Sequence, residues 1–450
     1  MRSFFVIICT LAILLPTVVW AAEPLNIESP AVILVEQTTG QVLYSRNERE
    51  RRYPASMSKM LTAMIVLDYL ELDEVLVVGP EIRNMPSGYV TNLHAEGESI
   101  TVEMLLNALL IRSGNETGRV LALNVIRRRE GRQNIDYHGQ AKHSFSVLMN
   151  ERARALGASS THFNNPYGLH SENHFSTAYD MAVITRAFMD NPVLAEIAGI
   201  RVLDAWENTN LMLPGGPHGH PYITGAKTGF TTPAGHCLAA AAYNDGLALV
   251  TIVMGGNDAM RWQDTRRLMD YGFNNYRFRE IARPDEIIET VLVENPRLGD
   301  IDYLHVISSQ GHTALLRNDE YAAITRIITF DPIMHVLHDD EYQTATLLRA
   351  PIEYGAVIGT IAYLSFGEIL FEAPVLAGRA VEARSFDSDM DYYLARFFGG
   401  MFTRRALPYW FGVFGTAFGI FGIVLALRAS RRASRADRWP RHERPRRSRY

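Results

Sequence analysis

The feature that most constrains this chain is an uncharged apolar stretch near its carboxyl end. Ala406 to Leu427 is a run of 22 residues without a charged side chain. As an α-helix this run would be ~33 Å long, enough to cross the hydrocarbon core of a bilayer. Pro408, Tyr409 and Trp410 stand at its start, where aromatic residues favour the membrane–water interface. The pattern predicts a transmembrane helix over residues 406–427.

The charges that follow predict which way this helix faces. Residues 428–450 contain ten arginines against Asp437 and Glu443, and such an excess marks the cytoplasmic side of a membrane. The whole chain of 450 residues still carries a formal net charge of −5, so the rest of it is acidic, which argues against nucleic-acid binding. We predict a basic cytoplasmic tail over 428–450 and a body on the periplasmic side of the inner (cytoplasmic) membrane.

The amino terminus carries a second apolar segment, which is typical of an export signal. Arg2 precedes a short apolar run that ends at Ala21, and this favours a cleaved signal peptide over residues 1–21. An uncleaved anchor is the alternative. Cleavage would remove Cys9 and leave Cys237 as the one cysteine, which excludes a disulfide framework and a cysteine-ligated zinc or iron–sulfur site.

Periodicity divides the body into two domains and a connecting segment. Residues 27–277 combine strand-like runs such as Ala31–Glu36 with long helical patterns such as Met57–Leu72, which predicts an α+β domain with an antiparallel sheet. Residues 284–385 hold short β-type runs between turns and predict a small all-β domain. Residues 386–405 combine charged and aromatic side chains, which predicts a short juxtamembrane segment.

The chain is poor in lysine, and this limits where amine chemistry can occur. Of 44 basic residues, only Lys59, Lys142 and Lys227 are lysine. Arginine does not lose its proton in proteins, so it cannot replace a neutral amine that acts as a base.

Two of these lysines lie in patterns with hydroxyl side chains. Ser56 and Lys59 are spaced i, i+3 at the head of a helical pattern, so they share one helix face. The serine is a candidate nucleophile there, since a lysine with a depressed pKa can take its proton. Lys227 is followed by Thr228 and Gly229, and its ammonium and the threonine hydroxyl can hold a carboxylate. Taken alone, each pattern also fits an exposed lysine near a cap or turn.

A third pattern, Ser113-Gly114-Asn115, interrupts a helical run between the other two. The Ser113 hydroxyl can relay a proton and the Asn115 amide can hold a peptide group, although helix capping explains the same residues. In this order the three patterns match the Ser-x-x-Lys, Ser-x-Asn and Lys-Thr-Gly signature of penicillin-binding proteins and class A β-lactamases.

Longer segments extend this match and resemble the low-molecular-mass penicillin-binding proteins. These segments are Ala31–Val35, Thr39–Tyr44, Pro54–Lys59, Phe163–Leu169 and Ala226–Cys237. The chain therefore resembles the D-alanyl-D-alanine carboxypeptidases, serine peptidases with a β-lactamase-like α+β fold. The resemblance covers residues 27–277 closely and extends less specifically to the β domain and the anchor.

The resemblance implies a role for each site residue, without a metal or cofactor. Ser56 would be the acylated nucleophile, Lys59 its base and Ser113 the proton shuttle to the leaving D-alanine. The substrate-binding residues would be Asn115, Lys227, Thr228, Gly229, Phe230 and Arg261. Among these, Lys227 and Thr228 would hold the terminal carboxylate, and Lys227 would also keep Lys59 neutral.

Two further roles concern backbone groups and a second cation. The N–H groups of Ser56 and Phe230 would form the oxyanion hole, a contribution typically worth a few kcal/mol of barrier. Arg261, just before a helix predicted over Asp264–Tyr271, stands where family members carry an arginine on the carboxylate side. A solvated surface arginine is the alternative reading for this residue.

The chain departs from the family pattern in three places: two lie next to site motifs, and the third resembles an insertion. Glu116 and Thr117 follow Asn115, where family members often have Asp-Ala. Phe230 follows Lys-Thr-Gly, where polar or other aromatic residues are often found. The stretch Arg127–His143 resembles an insertion and contains Lys142.

The expected activity is that of a serine-type D-Ala-D-Ala carboxypeptidase, which removes the terminal D-alanine from peptidoglycan pentapeptides and is inhibited covalently by β-lactams. A β-lactamase is disfavoured because no convincing glutamate-bearing loop follows the Ser-x-Asn motif. A metal hydrolase is disfavoured because His-Glu-x-x-His is absent and His218-Gly219-His220 is predicted to be a solvated turn. A D-alanyl-D-alanine endopeptidase and a β-lactam or muropeptide sensor without turnover stay open.

The two motif lysines are expected to tolerate arginine differently. Lys59→Arg should abolish acylation by a labelled penicillin, because a guanidinium cannot act as a base. Lys227→Arg should retain part of the acylation rate, because a permanent cation can still hold a carboxylate. Equal residual rates in the two variants would contradict this division of roles.

Overall fold

The computed structural model describes residues 25–89, 91–332, 335–340, 343–401, 403 and 406–436. The predicted signal peptide lies outside these residues, as does the tail from residue 437 onward. The chain divides into two compact units. The first comprises Met1–Phe278 with Leu315–Asn318, and the second comprises Arg279–Ala314 with Asp319–Tyr450.

The strands and helices are numbered in chain order. The strands are β1 (Ala31–Glu36), β2 (Val42–Arg46), β3 (Val75–Val77), β4 (Ser99–Thr101), β5 (Val202–Leu203), β6 (Trp206–Glu207), β7 (Ile223–Thr231), β8 (Gly235–Asn244), β9 (Leu247–Gly256), β10 (Tyr276–Ala282), β11 (Ile287–Glu294), β12 (Tyr303–Ser308), β13 (His312–Arg317), β14 (Ile324–Phe330), β15 (His335–Asp340), β16 (Gln343–Arg349), β17 (Val357–Ser365) and β18 (Glu368–Ala377). The helices are α1 (Lys59–Tyr69), α2 (Val102–Leu110), α3 (Asn115–Glu130), α4 (Lys142–Ala155), α5 (Ala178–Met189), α6 (Pro192–Gly199), α7 (Asp258–Asn275), α8 (Asn318–Ala322), α9 (Phe386–Met401) and α10 (Leu407–Ala436).

The first unit is built on an antiparallel five-stranded sheet with the order β2-β1-β9-β8-β7. All six residues of β1 are buried. Ala31, Ile33 and Val35 belong to one hydrophobic cluster, whereas Val32 and Leu34 belong to another. Both faces of the sheet are therefore covered, which explains why β1 is continuously apolar and does not alternate with polar residues.

Helix α1 runs through the interior of this unit. Every residue from Lys59 to Val66 is buried. The helix predicted over Met57–Leu72 is confirmed here but is shorter, because a single 3₁₀ turn, Ala55–Ser58, precedes α1. Ser56 therefore lies in a tight turn, and Lys59 is the first residue of the helix.

The helical break predicted at Ser113-Gly114 is also confirmed. Helix α2 ends before it and α3 begins directly after it. Ser113 has a φ of +60°, in the left-handed region, and the N–H of Gly114 donates to the carbonyl of Ala108 at 2.9 Å. The stretch Arg127–His143 forms the end of α3, a single π turn over Tyr137–Ala141 and the start of α4.

The second unit contains a seven-stranded sheet with the order β14-β17-β18-β12-β11-β16-β15. Leu304, Ile358, Ile361 and Val375 belong to its own hydrophobic cluster. Strands β13 and β15 are additions to the predicted set, because their sequences contain no long apolar run. Strand β18 extends well beyond the predicted Ile369–Phe371, since it pairs along its length with β17.

Helix α10 contains the segment that was predicted to cross a membrane. Among the described residues, Pro408–Arg431 is the one helical segment long and apolar enough for a span, with a mean hydropathy of 2.0 over its most apolar window, none of which is buried. The helix continues to Ala436, past the first arginines of the tail. The preceding segment is also helical, as α9.

Two glycines allow backbone segments to close on the turn that holds Ser56. At Gly168, with a φ of +86°, a Cβ would lie 2.0 Å from the carbonyl oxygen of Ala55 and 2.8 Å from the nitrogen of Ser56. At Gly229, a Cβ would lie 2.8 Å from the carbonyl oxygen of Pro54. These neighbours are backbone atoms, which cannot rotate aside as a side chain can, so a larger residue would displace the turn.

We expect Gly168→Ala to lower acylation by labelled penicillin at least roughly tenfold, because small displacements of a reacting group cost up to about 10²-fold in rate. Gly131→Ala is the matched control, since Gly131 has a φ of +65° but its Cβ would meet no atom within 4 Å. The control should lose about 1 kcal/mol of unfolding free energy and keep the wild-type acylation rate. Acylation kinetics and thermal unfolding check both variants, and equal losses of acylation would be the contrary result.

Candidate active site

Ser56 lies at the wall of an open cavity of about 290 Å³ in the first unit. The other lining residues are Thr91, Arg112, Ser113, Asn115, Thr209, Thr228, Gly229, Phe230 and Arg261. Seven of the nine predicted site residues are therefore brought to one cavity. The remaining two, Lys59 and Lys227, are buried and contact residues of its wall.

Lys59 is fully buried, and its amine lies among three oxygen atoms. Its Nζ donates to Asn115 Oδ1 at 2.7 Å and to the backbone carbonyl of Tyr167 at 2.6 Å, and it lies 2.9 Å from Ser56 Oγ. Two of these oxygens, the amide and the carbonyl, can only accept hydrogen bonds. A neutral amine has two N–H groups and one lone pair, so when both N–H groups bind these acceptors the lone pair faces Ser56 Oγ. This is the geometry of a nucleophile beside its base.

Electrostatics favour the neutral amine. Burial lowers the pKa of Lys59 well below its ordinary value, and the cation of Lys227 lowers it further. The carboxylate of Glu116 acts in the opposite direction. Since the two largest influences both oppose the ammonium form, Lys59 is suited to accept a proton from Ser56.

Asn115 and Glu116 hold one wall of the cavity in place. Asn115 Nδ2 donates to the carbonyl of Tyr89 at 2.8 Å. The Glu116 carboxylate accepts the N–H of Thr91 at 2.6 Å, the N–H of Asn92 at 3.3 Å and the Thr91 hydroxyl. Burial opposes ionisation of Glu116, but these hydrogen bonds outweigh it, and the pKa of the carboxyl lies below its ordinary value. Glu116, which departs from the family pattern, therefore links the loop that contains Thr91 to α3 through hydrogen bonds.

Lys227, Thr228 and Arg261 place cationic and hydroxyl groups at the cavity: Thr228 and Arg261 line it, and Lys227 is buried beside Thr228. Lys227 lies on β7, and its Nζ donates to the carbonyl of Thr228 at 3.3 Å and to Thr209 Oγ1 at 3.5 Å. Thr228 Oγ1 donates to Thr209 Oγ1 at 2.8 Å. Burial, with the charge of Arg261, lowers the pKa of Lys227 to about 7. A carboxylate bound here would restore the ammonium, because an opposite charge favours the charged form.

Comparison with known proteins shows the family to which this chain belongs. Residues 18–258 match a family model described as D-alanyl-D-alanine carboxypeptidase, which is more than half of the chain. The chain belongs to this family of serine peptidases. The predicted enzyme class is thereby confirmed.

Individual relatives extend over most of the chain. The D-alanyl-D-alanine carboxypeptidase DacF of Bacillus subtilis is 25% identical over 375 residues, which are 80% of this chain and 87% of the relative. DacC of Escherichia coli is 26% identical over 411 residues, which are 85% of this chain and 94% of the relative. Penicillin binding protein 5 from Haemophilus influenzae superposes with a TM-score of 0.56, at 23% identity, over 80% of this chain and 99% of that chain. The last likeness confirms the predicted fold class.

The helix that was expected to begin after Arg261 begins before it in this carboxypeptidase. Arg261 lies in the first turn of α7, not before the helix, because Asn257 Oδ1 accepts the N–H of Met260 and starts the helix earlier. Its guanidinium donates to Asp258 and packs 4.2 Å from the ring of Trp262. These contacts hold it at the cavity, so it is not a freely solvated arginine.

Phe230 is the exposed aromatic residue of the cavity, with 52% of its surface accessible. Its ring lies 4.3 Å from that of His236, between centroids. His236 Nδ1 in turn lies 3.4 Å from Asp258 Oδ1, the carboxylate that also pairs with Arg261. The rim of the carboxypeptidase site is thus apolar on its outside and charged beneath.

Two predictions for residues outside the site have contrasting outcomes. The solvated turn predicted at His218-Gly219-His220 is wrong for His220, which is 2% exposed and whose Nε2 lies 3.2 Å from Asp270 Oδ1, whereas His218 is exposed in a turn. His218 stacks on Trp262 with 5.1 Å between ring centroids. Lys142 lines a separate cavity of about 380 Å³ and is not among the residues that line the catalytic one.

Four positions that line the cavity or contact Lys59 carried no usable signal in the sequence. Thr91, Arg112 and Thr209 line the cavity from loops and helix ends that lie outside the three motifs. The carbonyl of Tyr167 binds Lys59 through the backbone, and a backbone group leaves no mark on residue type. The resemblance of Phe163–Leu169 to family sequences was the one indication that this segment matters.

The depressed pKa of Lys227 predicts how substrate binding changes with pH. Below about pH 7 the Lys227 side chain is charged in the empty site. Above pH 7 it is neutral, and it must take up a proton from solvent when a substrate carboxylate binds. The KM for a peptide ending in D-Ala-D-Ala should therefore rise above pH 7, by up to about tenfold per pH unit. Lys227→Arg should remove this limb, because arginine stays charged. Identical KM–pH profiles for the wild type and Lys227→Arg would contradict the assignment.

Proposed function

We propose that this carboxypeptidase releases the terminal D-alanine of peptidoglycan pentapeptides through an acyl-enzyme on Ser56. The observation that carries the proposal is the contact of 2.9 Å between Lys59 Nζ and Ser56 Oγ, with acceptor groups on both other sides of the amine. Only a neutral lysine satisfies all three contacts and still accepts a proton from the serine.

Acylation follows from the positions of the hydroxyl groups. Lys59 accepts the proton of Ser56, and Ser56 Oγ attacks the carbonyl carbon of the penultimate D-alanine. The N–H groups of Ser56 and Phe230 stabilise the negative charge that develops on the carbonyl oxygen. The C–N bond then breaks as Ser113 donates its hydroxyl proton to the leaving amine and receives in its place the proton that Lys59 took from Ser56, so free D-alanine departs and Lys59 is neutral again. Water then attacks the ester carbonyl: its hydroxyl group bonds to the acyl carbon, the ester C–O bond breaks, and its remaining proton returns to Ser56 Oγ.

Substrate choice follows from the cationic and hydroxyl groups around Thr228. Lys227, Thr228 and Arg261 bind the terminal carboxylate, Asn115 orients the peptide group of the stem, and Gly229 lets the substrate backbone approach β7. A β-lactam carries a carboxylate and a reactive carbonyl in one ring system, so it acylates the same serine. The peptidoglycan stem peptide is thus the substrate, and β-lactams are covalent inhibitors.

The membrane arrangement is proposed from length, hydropathy and charge. Helix α10 would span the inner membrane, and the arginines after it would keep the tail in the cytoplasm. Residues 27–277 would then act on the periplasmic side after removal of residues 1–21, with 284–385 as a separate β domain and 386–405 beside the membrane. The span rests on the helical segment Pro408–Arg431.

The deciding experiment measures D-alanine release by the full chain in detergent micelles. Mass spectrometry of a pentapeptide muropeptide should show loss of one D-alanine with the wild type. Release should fall at least roughly 10³-fold with Ser56→Ala and with Lys59→Ala, since each removes half of the nucleophile–base pair. Lys142→Ala is the matched lysine control and should keep the wild-type rate, because Lys142 does not line the catalytic cavity. Undiminished release by Ser56→Ala would disprove the mechanism.

A parallel assay separates the two alternatives. If the wild type is acylated by labelled penicillin but releases no D-alanine, it is a sensor without turnover. If it cleaves cross-linked muropeptide dimers faster than pentapeptides, it is an endopeptidase.

A further inference from the structure

His174 is a buried imidazole that the acylation mechanism does not use. It is 1% exposed, and its ring lies between the turn that carries Ser56 and the loop that follows Phe163. On one side its Nε2 lies 2.8 Å from Ser58 Oγ. On the other side its Nδ1 lies 3.2 Å from the backbone nitrogen of Asn164.

The hydrogen-bond partners determine where the proton of this imidazole lies. The backbone N–H of Asn164 can only donate, so Nδ1 is the acceptor nitrogen and Nε2 carries the proton. Asn164 Oδ1 is also 3.2 Å from Nδ1, but Asn165 Nδ2, a second group that can only donate, lies 3.3 Å from the same nitrogen. Ser58 uses its own hydroxyl proton on the carbonyl of Ala55 at 2.8 Å, which leaves its oxygen free to accept from Nε2.

Burial keeps this imidazole uncharged. It lowers the pKa of His174 to about 3, and the neighbouring groups His162, Lys59 and His170 contribute in the same direction. The Nε2–H tautomer therefore persists throughout the range in which Lys59 is a base, and His174 acts through hydrogen bonds and not through its charge.

Ser58 links His174 to the nucleophile. Its hydroxyl closes the 3₁₀ turn from Ala55, so the bond from His174 braces the turn that presents Ser56. Ser58 also directly precedes Lys59, the first residue of α1. A displacement of Ser58 would therefore change the 2.9 Å separation between the base and the nucleophile.

The loop on the other side of His174 holds the base. Asn165 Oδ1 accepts three backbone N–H groups, from Tyr167 at 3.2 Å, Gly168 at 2.8 Å and Leu169 at 2.9 Å. This arrangement presents the Tyr167 carbonyl to Lys59 Nζ and places Gly168 against the Ser56 turn. Both sides of the nucleophile–base pair are thus in hydrogen-bond contact with segments that His174 joins.

We propose that His174 is a positioning residue for acyl transfer. It donates its Nε2 proton to Ser58 and accepts from Asn164, and so fixes the turn that carries Ser56 relative to the loop whose Tyr167 carbonyl binds Lys59. The proposal rests on the proposed function, because it concerns the same nucleophile and base. His174 contacts neither of them directly, and its effect passes through Ser58.

The test uses four variants of the full chain in detergent micelles. His174→Met removes both hydrogen bonds at similar volume, and His174→Gln retains an N–H donor. Ser58→Ala removes the partner hydroxyl, and the fourth variant combines it with His174→Met. His162→Met is the matched control, since His162 is an exposed neighbour that has no hydrogen bond to Ser58 among those of the described residues.

Three readouts separate positioning from simple stability: the acylation rate with labelled penicillin, its pH profile, and thermal unfolding of the unliganded chain. His174→Met and Ser58→Ala should each lower acylation by roughly tenfold or more, and the double variant should be no slower than the slower single one. The acid limb of the pH profile should move to higher pH, because a looser site hydrates Lys59 and favours its ammonium form. His174→Gln should recover most of the rate, and His162→Met should match the wild type.

Several outcomes would overturn the proposal. Acylation by His174→Met within about twofold of the wild type would do so, as would a double variant whose two losses multiply. A loss of rate that follows only the unfolded fraction would identify a purely structural role. If His174→Met does not fold, Ser58→Ala decides, since a folded Ser58→Ala at the wild-type rate contradicts the proposal. A wild type that is not acylated at Ser56 would refute the proposed function itself, which distinguishes the two failures.

Discussion

The rest of the site depends on the burial of one amine. Lys59 is removed from water at the start of a helix whose first eight residues are all buried, and removal from water favours its uncharged form. The free-energy cost of burying the amine is offset because Asn115 and the Tyr167 carbonyl accept its hydrogen bonds. Each of these acceptors is in turn positioned by its own surroundings, Asn115 by the start of α3 and Tyr167 by Asn165. The chemistry of Ser56 therefore depends on segments far apart in the chain.

The cations of the site differ in how freely they can lose a proton. Lys59 and Lys227 are both buried lysines with depressed pKa values, whereas Arg261 keeps its charge under all ordinary conditions. The charge of Lys227 opposes protonation of Lys59, and its ammonium can also hold a carboxylate. Two of the three lysines of the chain stand in this site, and arginine occupies most other basic positions.

Elements whose conformation depends mainly on neighbouring residues could be predicted from the sequence. The apolar run of β1 and the helical break at Ser113 were both predicted, since continuous burial and a left-handed residue each leave a recognisable pattern. The predictions for His220 and for the start of α7 were wrong, because the ring of Phe273, distant in sequence, stacks on the histidine and a single cap lengthens the helix. Neither effect is visible in the residues immediately around the position.

By itself the sequence determined the chemical inventory: a serine with a lysine one turn away, a second lysine followed by a hydroxyl, and an apolar segment before a basic tail. These follow from residue type and short spacing, which any sequence displays directly. Only the tertiary structure decided which carbonyl holds the base, which loops complete the cavity, and how Glu116 and His174 support it. Those contacts join residues up to more than 100 positions apart through backbone atoms and buried hydrogen bonds, and the packing of the whole first unit is needed to form them.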